Sequence, residues 1–389
     1  MKRLYALDTL RGFAALSIVL WHWQHFFAIS GTWQQGWQKS SEPFYPFLKP
    51  FYEEGWAAVD LFFALSGFIF FWLYSEAIRE GRVGAWRFGW LRFSRLYPLH
   101  LLTLLAVTAM QFYYYRATGN YFIFDADDGA RFAASLILAQ QWLPPTIDQF
   151  FNGPAWSVSI EVLLYAVFFL LCRWGLRGPR MALLIAVLAI SLLWWNWFIA
   201  RGVMGFFLGG AIFYCSRVLE SRSDARRLAY LCASVAAALW IGVWIEAYLR
   251  PLHAALYWLS GHISPEAGRF YIGESENLFL LLFIFVVSPV TILALALHEQ
   301  VLGGNWSRFA FVGDISYSTY MLHFPMQLVL ALIAVHYALP PAAFENPVAL
   351  ILFYVALITL GGLSFHYFER PMQDFLRGKL GKKTLAPEN

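Results

Sequence analysis

Charge is scarce in this chain. Only 13% of its 389 residues are Asp, Glu, Lys or Arg, about half the share found in soluble domains. A water-exposed surface of that size needs more, which excludes an ordinary soluble enzyme and a disordered protein. Cysteine is equally sparse. Cys172, Cys215 and Cys232 lie in or beside apolar runs, so neither a disulfide framework nor a thiolate zinc site is readable. The net charge of +4 is too small and too dispersed for a nucleic-acid partner. A Walker-type loop, a dinucleotide fingerprint and a G-x-S-x-G elbow are all absent. No internal repeat of the kind that marks many secondary transporters is visible. No linker leads to a second folded unit, so residues 1–375 read as one domain and 376–389 as a short basic tail.

What fills the space is apolar. Hydrophobic residues make up 60% of the chain and aromatics 19%, the composition of a polytopic membrane protein. A spanning helix takes about 20 mostly apolar residues. Ten runs qualify: 8–29, 56–75, 96–115, 155–172, 181–199, 202–219, 229–248, 276–297, 311–336 and 348–367. The apolar stretch 131–143 is too short to span and reads as an outer loop helix. The expected fold is therefore all-α, a helical membrane bundle with both termini on one side. Lys and Arg choose that side. Segments sharing a side with Lys2 and Arg3 carry about 20 of them, the opposite segments about seven, which puts both termini in the cytoplasm. The start could imitate a signal peptide, but Trp21-His22-Trp23-Gln24-His25 interrupts the run where such a peptide is most apolar.

Ionisable groups inside spans are costly, and each is a functional suspect. Arg11 and His22 lie eleven residues apart on the first run. That spacing places them within about 20° of one helix face and about 16 Å apart along the axis. Asp8 sits one turn before Arg11. His25 sits one turn after His22, but no matching metal or haem ligands stand elsewhere. Pro154-Ala155-Trp156-Ser157-Val158-Ser159-Ile160-Glu161 opens the fourth run from outside, which sets Glu161 roughly 10 Å deep. At that depth a carboxylate could orient the His22 imidazole for general-base work, or it could cap a cavity or pair with Arg201. Arg92 and Arg95, three apart, read either as a cytoplasmic phosphate cradle or as ordinary positive-inside anchors. Gly313 to Pro325 carries hydroxyls at helical spacing and then His323, about 18 Å from the inner side; small hydroxyl residues are also common helix-packing glue.

Taken in order, these motifs resemble the acyltransferase-3 family of integral membrane acyltransferases, in its stand-alone form without a C-terminal extracytoplasmic domain. The resemblance runs from Leu7-Asp8-Thr9-Leu10-Arg11-Gly12 and His22, through Val59-Asp60-Leu61-Phe62-Phe63-Ala64-Leu65-Ser66-Gly67-Phe68, Arg92 to Pro98 and Trp156 to Glu161. It continues in Arg201 with Phe206-Phe207-Leu208-Gly209-Gly210, in Gly313 to Pro325, and in Phe368-Glu369-Arg370-Pro371. One departure stands out: relatives often carry a second polar pair after the glutamate, where this chain has Val162-Leu163.

The resemblance implies an enzyme of the bacterial cytoplasmic membrane that moves an acyl group, most often acetyl, from acetyl-CoA or another acyl-CoA to a hydroxyl of a carbohydrate or glycan-lipid acceptor. No metal is expected. It implies catalytic roles for His22 and Glu161 and donor binding by Arg11, Arg92 and Arg95. Asp8, Asp60, Ser66, Arg201, Tyr317, His323 and Glu369 support them. The outer segments 30–55 and 116–153 are rich in aromatics (Trp33, Trp37, Phe44, Tyr45, Tyr113 to Tyr115, Tyr121), which suit a sugar and equally suit an interfacial belt. A transporter or flippase-like protein for the donor or a glycan lipid is the alternative reading, since it too would place ionisable groups at the midplane.

Overall fold

The computed structural model describes residues 3–29, 32–123, 129–142, 151–263 and 276–378. Its helices, in chain order, are α1 (Tyr5–Trp21), α2 (Tyr45–Glu54), α3 (Ala58–Arg79), α4 (Ala85–Thr118), α5 (Gly129–Leu136), α6 (Ala155–Arg173) and α7 (Pro179–Leu188). They continue as α8 (Trp197–Glu220), α9 (Ala225–Leu249), α10 (Pro251–Ile263), α11 (Glu276–Leu302), α12 (Ser316–His336) and α13 (Pro347–Gly378). A two-residue ribbon pairs Ala28–Ile29 with Thr32–Trp33. This is an all-α polytopic membrane bundle.

Among the described residues, eight segments are long and apolar enough to cross a membrane. The first and fifth expected spans are shorter. α1 has 17 residues before it tightens into a 3₁₀ turn over His22–Phe27, and the other is the apolar Pro179–Trp194. With these two the ten expected segments are all helical. The bundle begins and ends on one face: Arg3 bonds Asp314 at the foot of α12, and Glu369 near the end of α13 accepts from Ser318 one turn higher. The outer loop helix forms as α5, shorter than expected; residues 143–150 lie outside the described residues. The expected boundary at 375 falls inside α13, which runs on to Gly378, and the basic residues 379–389 lie outside the described residues.

Two features fix the bundle around the site. α3 and α8 touch backbone to backbone. A Cβ added at Gly67 would lie 1.8 Å from the Phe206 carbonyl oxygen, and one at Gly209 would lie 1.9 Å from that of Ala64. Only glycine permits this approach, the small-residue packing that membrane helices use where no hydrophobic effect drives them together. At the start of α1, the first N–H groups have no partners within the helix. Glu299 supplies them, accepting from Tyr5 N at 3.1 Å and Ala6 N at 2.7 Å. Its charge also complements the positive helix end.

Candidate active site

A cavity of about 70 Å³ opens between α1, α3, α4, α6 and α12. That is about half an engineered cavity that accommodates benzene. Polar groups on its wall are Arg11, Ser66, Arg95, Ser157, Glu161, Ser316, Tyr317 and Tyr320, set among Val59, Phe62, Phe63, Ile69, Phe70, Leu96 and Val158.

Its two arginines are held differently. Arg11 donates from Nε to Ser316 Oγ at 3.0 Å and from Nη2 to the Gly313 carbonyl at 3.1 Å. Its Nη2 also lies 3.4 Å from Asp8, whose other oxygen accepts from Arg3. Arg95 makes no hydrogen bond or ion pair among the described residues, although it is half-buried on the cavity wall. Arg92 departs from the expected cradle. It is buried behind the wall, donates to Tyr74 OH at 2.7 Å, and lies 5.1 Å over the rings of Phe70 and Tyr74. Three residues of helix leave the two arginines on neighbouring faces, and α3 claims one of them.

Glu161 lies on the same wall, but not beside His22 as expected. Its Oε1 accepts from Ser66 at 2.8 Å and from Tyr165 one turn along α6. Nor does it pair with Arg201. That arginine makes two hydrogen bonds to Asp60, at 2.9 and 2.6 Å, with 3% and 0% of the two side chains exposed. Three indoles enclose its guanidinium, Trp197 at 4.3 Å, Trp56 at 5.0 Å and Trp156 at 5.4 Å. Tyr317 donates to the Leu96 carbonyl at 2.6 Å. Glu369 accepts from Ser318 and from Ser364.

The partner of His22 is His323. His22 opens the 3₁₀ turn after α1, half-buried, and its Nδ1 stands 3.0 Å from His323 Nε2. The two rings are near parallel, 19° apart, with centroids at 4.8 Å. The other nitrogen of His323, Nδ1, lies 2.5 Å from the Tyr320 carbonyl. A carbonyl only accepts, so His323 carries its proton on Nδ1, and in the neutral ring Nε2 is an acceptor. His22 must then donate from Nδ1, which leaves the lone pair on its Nε2. Two contacts thus fix the proton positions of both rings.

Gln327 completes the arrangement. Its amide donates to the His22 carbonyl at 2.8 Å, which turns its oxygen to the His25 Nδ1 at 3.1 Å. Sequence reasoning passed over this residue. The signal was available: Gln327 is a polar group inside a span and lies four residues, one helical turn, after His323. Tyr320 joins the two parts of the site. Its hydroxyl, on the cavity wall, meets Ser157 at 2.7 Å and the Pro154 carbonyl at 2.9 Å, while its carbonyl anchors His323 three residues on. In the outer region, Trp37 stacks on Phe27 and on the exposed Trp33, so part of the aromatic surface is consumed by the protein itself.

Comparison with known proteins decides the family. A profile described as an acyltransferase domain, Acyl_transf_3, matches residues 4–367. The chain belongs to this family. Two curated relatives are each 33% identical to it over 199 residues. One is Protein 2 in picA locus of Rhizobium radiobacter, matched over 49% of this chain and 91% of that protein. The other is Acyltransferase MdmB of Streptomyces mycarofaciens, matched over 50% of this chain and 43% of that protein. The match thus spans less than half of the MdmB sequence. No solved structure matches the chain. The protein is an integral membrane acyltransferase.

Proposed function

We propose that this acyltransferase takes its acyl group, most often acetyl, from an acyl-CoA on the cytoplasmic side of a bacterial inner membrane. The acceptor is a hydroxyl of a carbohydrate or lipid-linked glycan. The observation that supports this reading best is the His22–His323 pair, because it leaves a lone pair on His22 Nε2 with the far nitrogen already engaged. Such a base can take the proton of an acceptor hydroxyl as its oxygen attacks the thioester carbonyl. The carbon–sulfur bond then breaks, and the departing thiolate takes the proton back from the imidazolium. Atoms and charge balance with no further reactant. While His22 is charged, its Nδ1–H bond to His323 strengthens, because one partner is now ionic.

Arg95 supports the donor assignment. A half-buried guanidinium on a cavity wall, without a protein partner among the described residues, matches the phosphates of a nucleotide thioester. Arg11, beside it, lends charge from a fixed position. Glu161, tied to Ser66 and Tyr165, lines the space through which the thioester end would pass. Positive-inside asymmetry directs this cavity's arginine end to the cytoplasm.

The test uses the purified protein in lipid nanodiscs with radiolabelled acetyl-CoA and a panel of hydroxylated glycan acceptors. Acetyl transfer with release of coenzyme A thiol is expected, abolished in His22→Ala while coenzyme A still binds. Accumulation of an unmodified substrate in sealed vesicles, without any acyl transfer, would overturn the reading in favour of transport.

A further inference from the structure

We infer that Arg377, near the described end of α13, is a contact for the 3′-phosphate of the donor nucleotide, which makes this end of α13 a wall of the donor site. The inference rests on the acyl-CoA reading above. Residues Arg370–Gly378 continue α13 after a π-type turn over Phe365–Glu369 and pack along α4. Two hydrogen bonds fasten them there. The Trp90 indole donates to the Leu376 carbonyl at 2.9 Å, and Arg377 Nε donates to Ser94 Oγ at 3.3 Å. Ser94 is fully buried and lies between Arg92 and Arg95 in the chain. The bond therefore draws a third guanidinium onto that stretch of helix, where Arg92 and Arg95 both repel it and Asp374, three residues back on its own helix, attracts it. Arg95 in turn acts on Arg11 across the cavity.

Four guanidiniums from three separate helices, Arg11, Arg92, Arg95 and Arg377, thus gather at this end of the cavity. The carboxylates on the cavity side are engaged: Asp8 by Arg3 and Arg11, Glu161 by Ser66 and Tyr165, Glu369 by Ser318 and Ser364. Guanidiniums gathered this densely match a ligand that carries several phosphates. Coenzyme A carries a diphosphate and a separate 3′-phosphate, the latter at the end of the molecule remote from the thioester. Arg11 and Arg95 line the cavity whereas Arg377 lies outside its lining. With the thioester inward, Arg377 meets the remote end.

The experiment is a binding titration of the full chain in nanodiscs with two probes, coenzyme A and 3′-dephospho-coenzyme A. The wild type should prefer the former. Arg377→Ala should weaken coenzyme A by roughly tenfold or more, leave the dephospho form unchanged, and so erase the preference. Arg377→Lys should recover part of it, since the charge remains without the fork. Equal weakening of both probes would assign Arg377 a merely structural role and overturn the inference, as would wild-type affinity for both in Arg377→Ala. A wild type that binds neither probe would instead refute the acyl-CoA reading, and this inference with it.

Discussion

Replacing His323 by Phe tests the arrangement most directly. The ring volume is kept, but the acceptor for His22 Nδ1–H, 3.0 Å away, is gone. In the resting protein His22 loses one neutral hydrogen bond, worth about 0.5–1.5 kcal/mol. At the transition state it loses a charge-assisted one, worth about 1.5–3 kcal/mol. The rate follows the difference plus the loss of a fixed tautomer, because a His22 free to carry its proton on Nε2 is no longer a base toward the acceptor. A fall in kcat of roughly ten- to a hundredfold is expected, smaller than the 10²–10⁴ for removing the base itself in His22→Ala. Since His323 is not among the residues lining the arginine cavity, KM for acyl-CoA should hold. The assay is initial-rate acyl transfer in nanodiscs at varied donor concentration, with melting temperature measured in parallel. Near-normal kcat in a folded His323→Phe protein would refute the tautomer argument. So would a loss carried wholly by KM.

Three further outcomes follow from the geometry. Arg201→Leu leaves Asp60 ionised, buried and unpaired, a change of about 3–5 kcal/mol; a lower melting temperature should show it, with Arg201→Lys intermediate because it lacks the fork and the flat face seated among Trp56, Trp156 and Trp197. Gly209→Ala forces a Cβ to within 1.9 Å of the Ala64 carbonyl and should destabilise by roughly 1–3 kcal/mol, whereas Gly242→Ala, with nothing within 4 Å, should be neutral or slightly stabilising; equal effects would discount the α3–α8 contact. Glu42, in the outer loop, is 3% exposed with neither carboxylate oxygen hydrogen-bonded, and burial pushes its carboxyl up to about 8. The folded loop therefore holds a proton that the unfolded chain releases near pH 4–5, so stability should fall as pH rises from there to about 8 and level off above; a melting series in which Glu42→Gln keeps the same slope would remove Glu42 as the cause.

Sequence and structure part company in an instructive way. Helix existence was legible because a membrane leaves few alternatives: apolar length alone selects the spans. Depth was legible too, since 1.5 Å per residue converts position into height, and His22 and His323 were both placed deep. Lateral neighbours were not. His22 and His323 are 301 residues apart, and nothing in either run says which helix stands beside which. Glu161 shows the same blindness from the other side: its height suited His22, yet Ser66 of α3 and its own Tyr165 hold it. Arg92 and Arg95 illustrate a finer limit. Spacing put them on one side of α4, but the aromatic pair Phe70 and Tyr74 on the neighbouring helix draws the first away from the cavity.

The contact between α3 and α8 bears on how the protein moves. Where two backbones meet through Gly67 and Gly209, there are no long side chains to swing or repack, and any sliding drives carbonyl oxygen into Cα. That half of the bundle, with the Asp60–Arg201 pair bolted across it, behaves as a stator. Breathing that admits a substrate must then fall to α4 and α12, whose meeting near the cavity runs through rotatable groups such as Tyr317 with the Leu96 carbonyl. A crosslink pinning α3 to α8 would leave such an engine running. One pinning α4 to α12 would stall it.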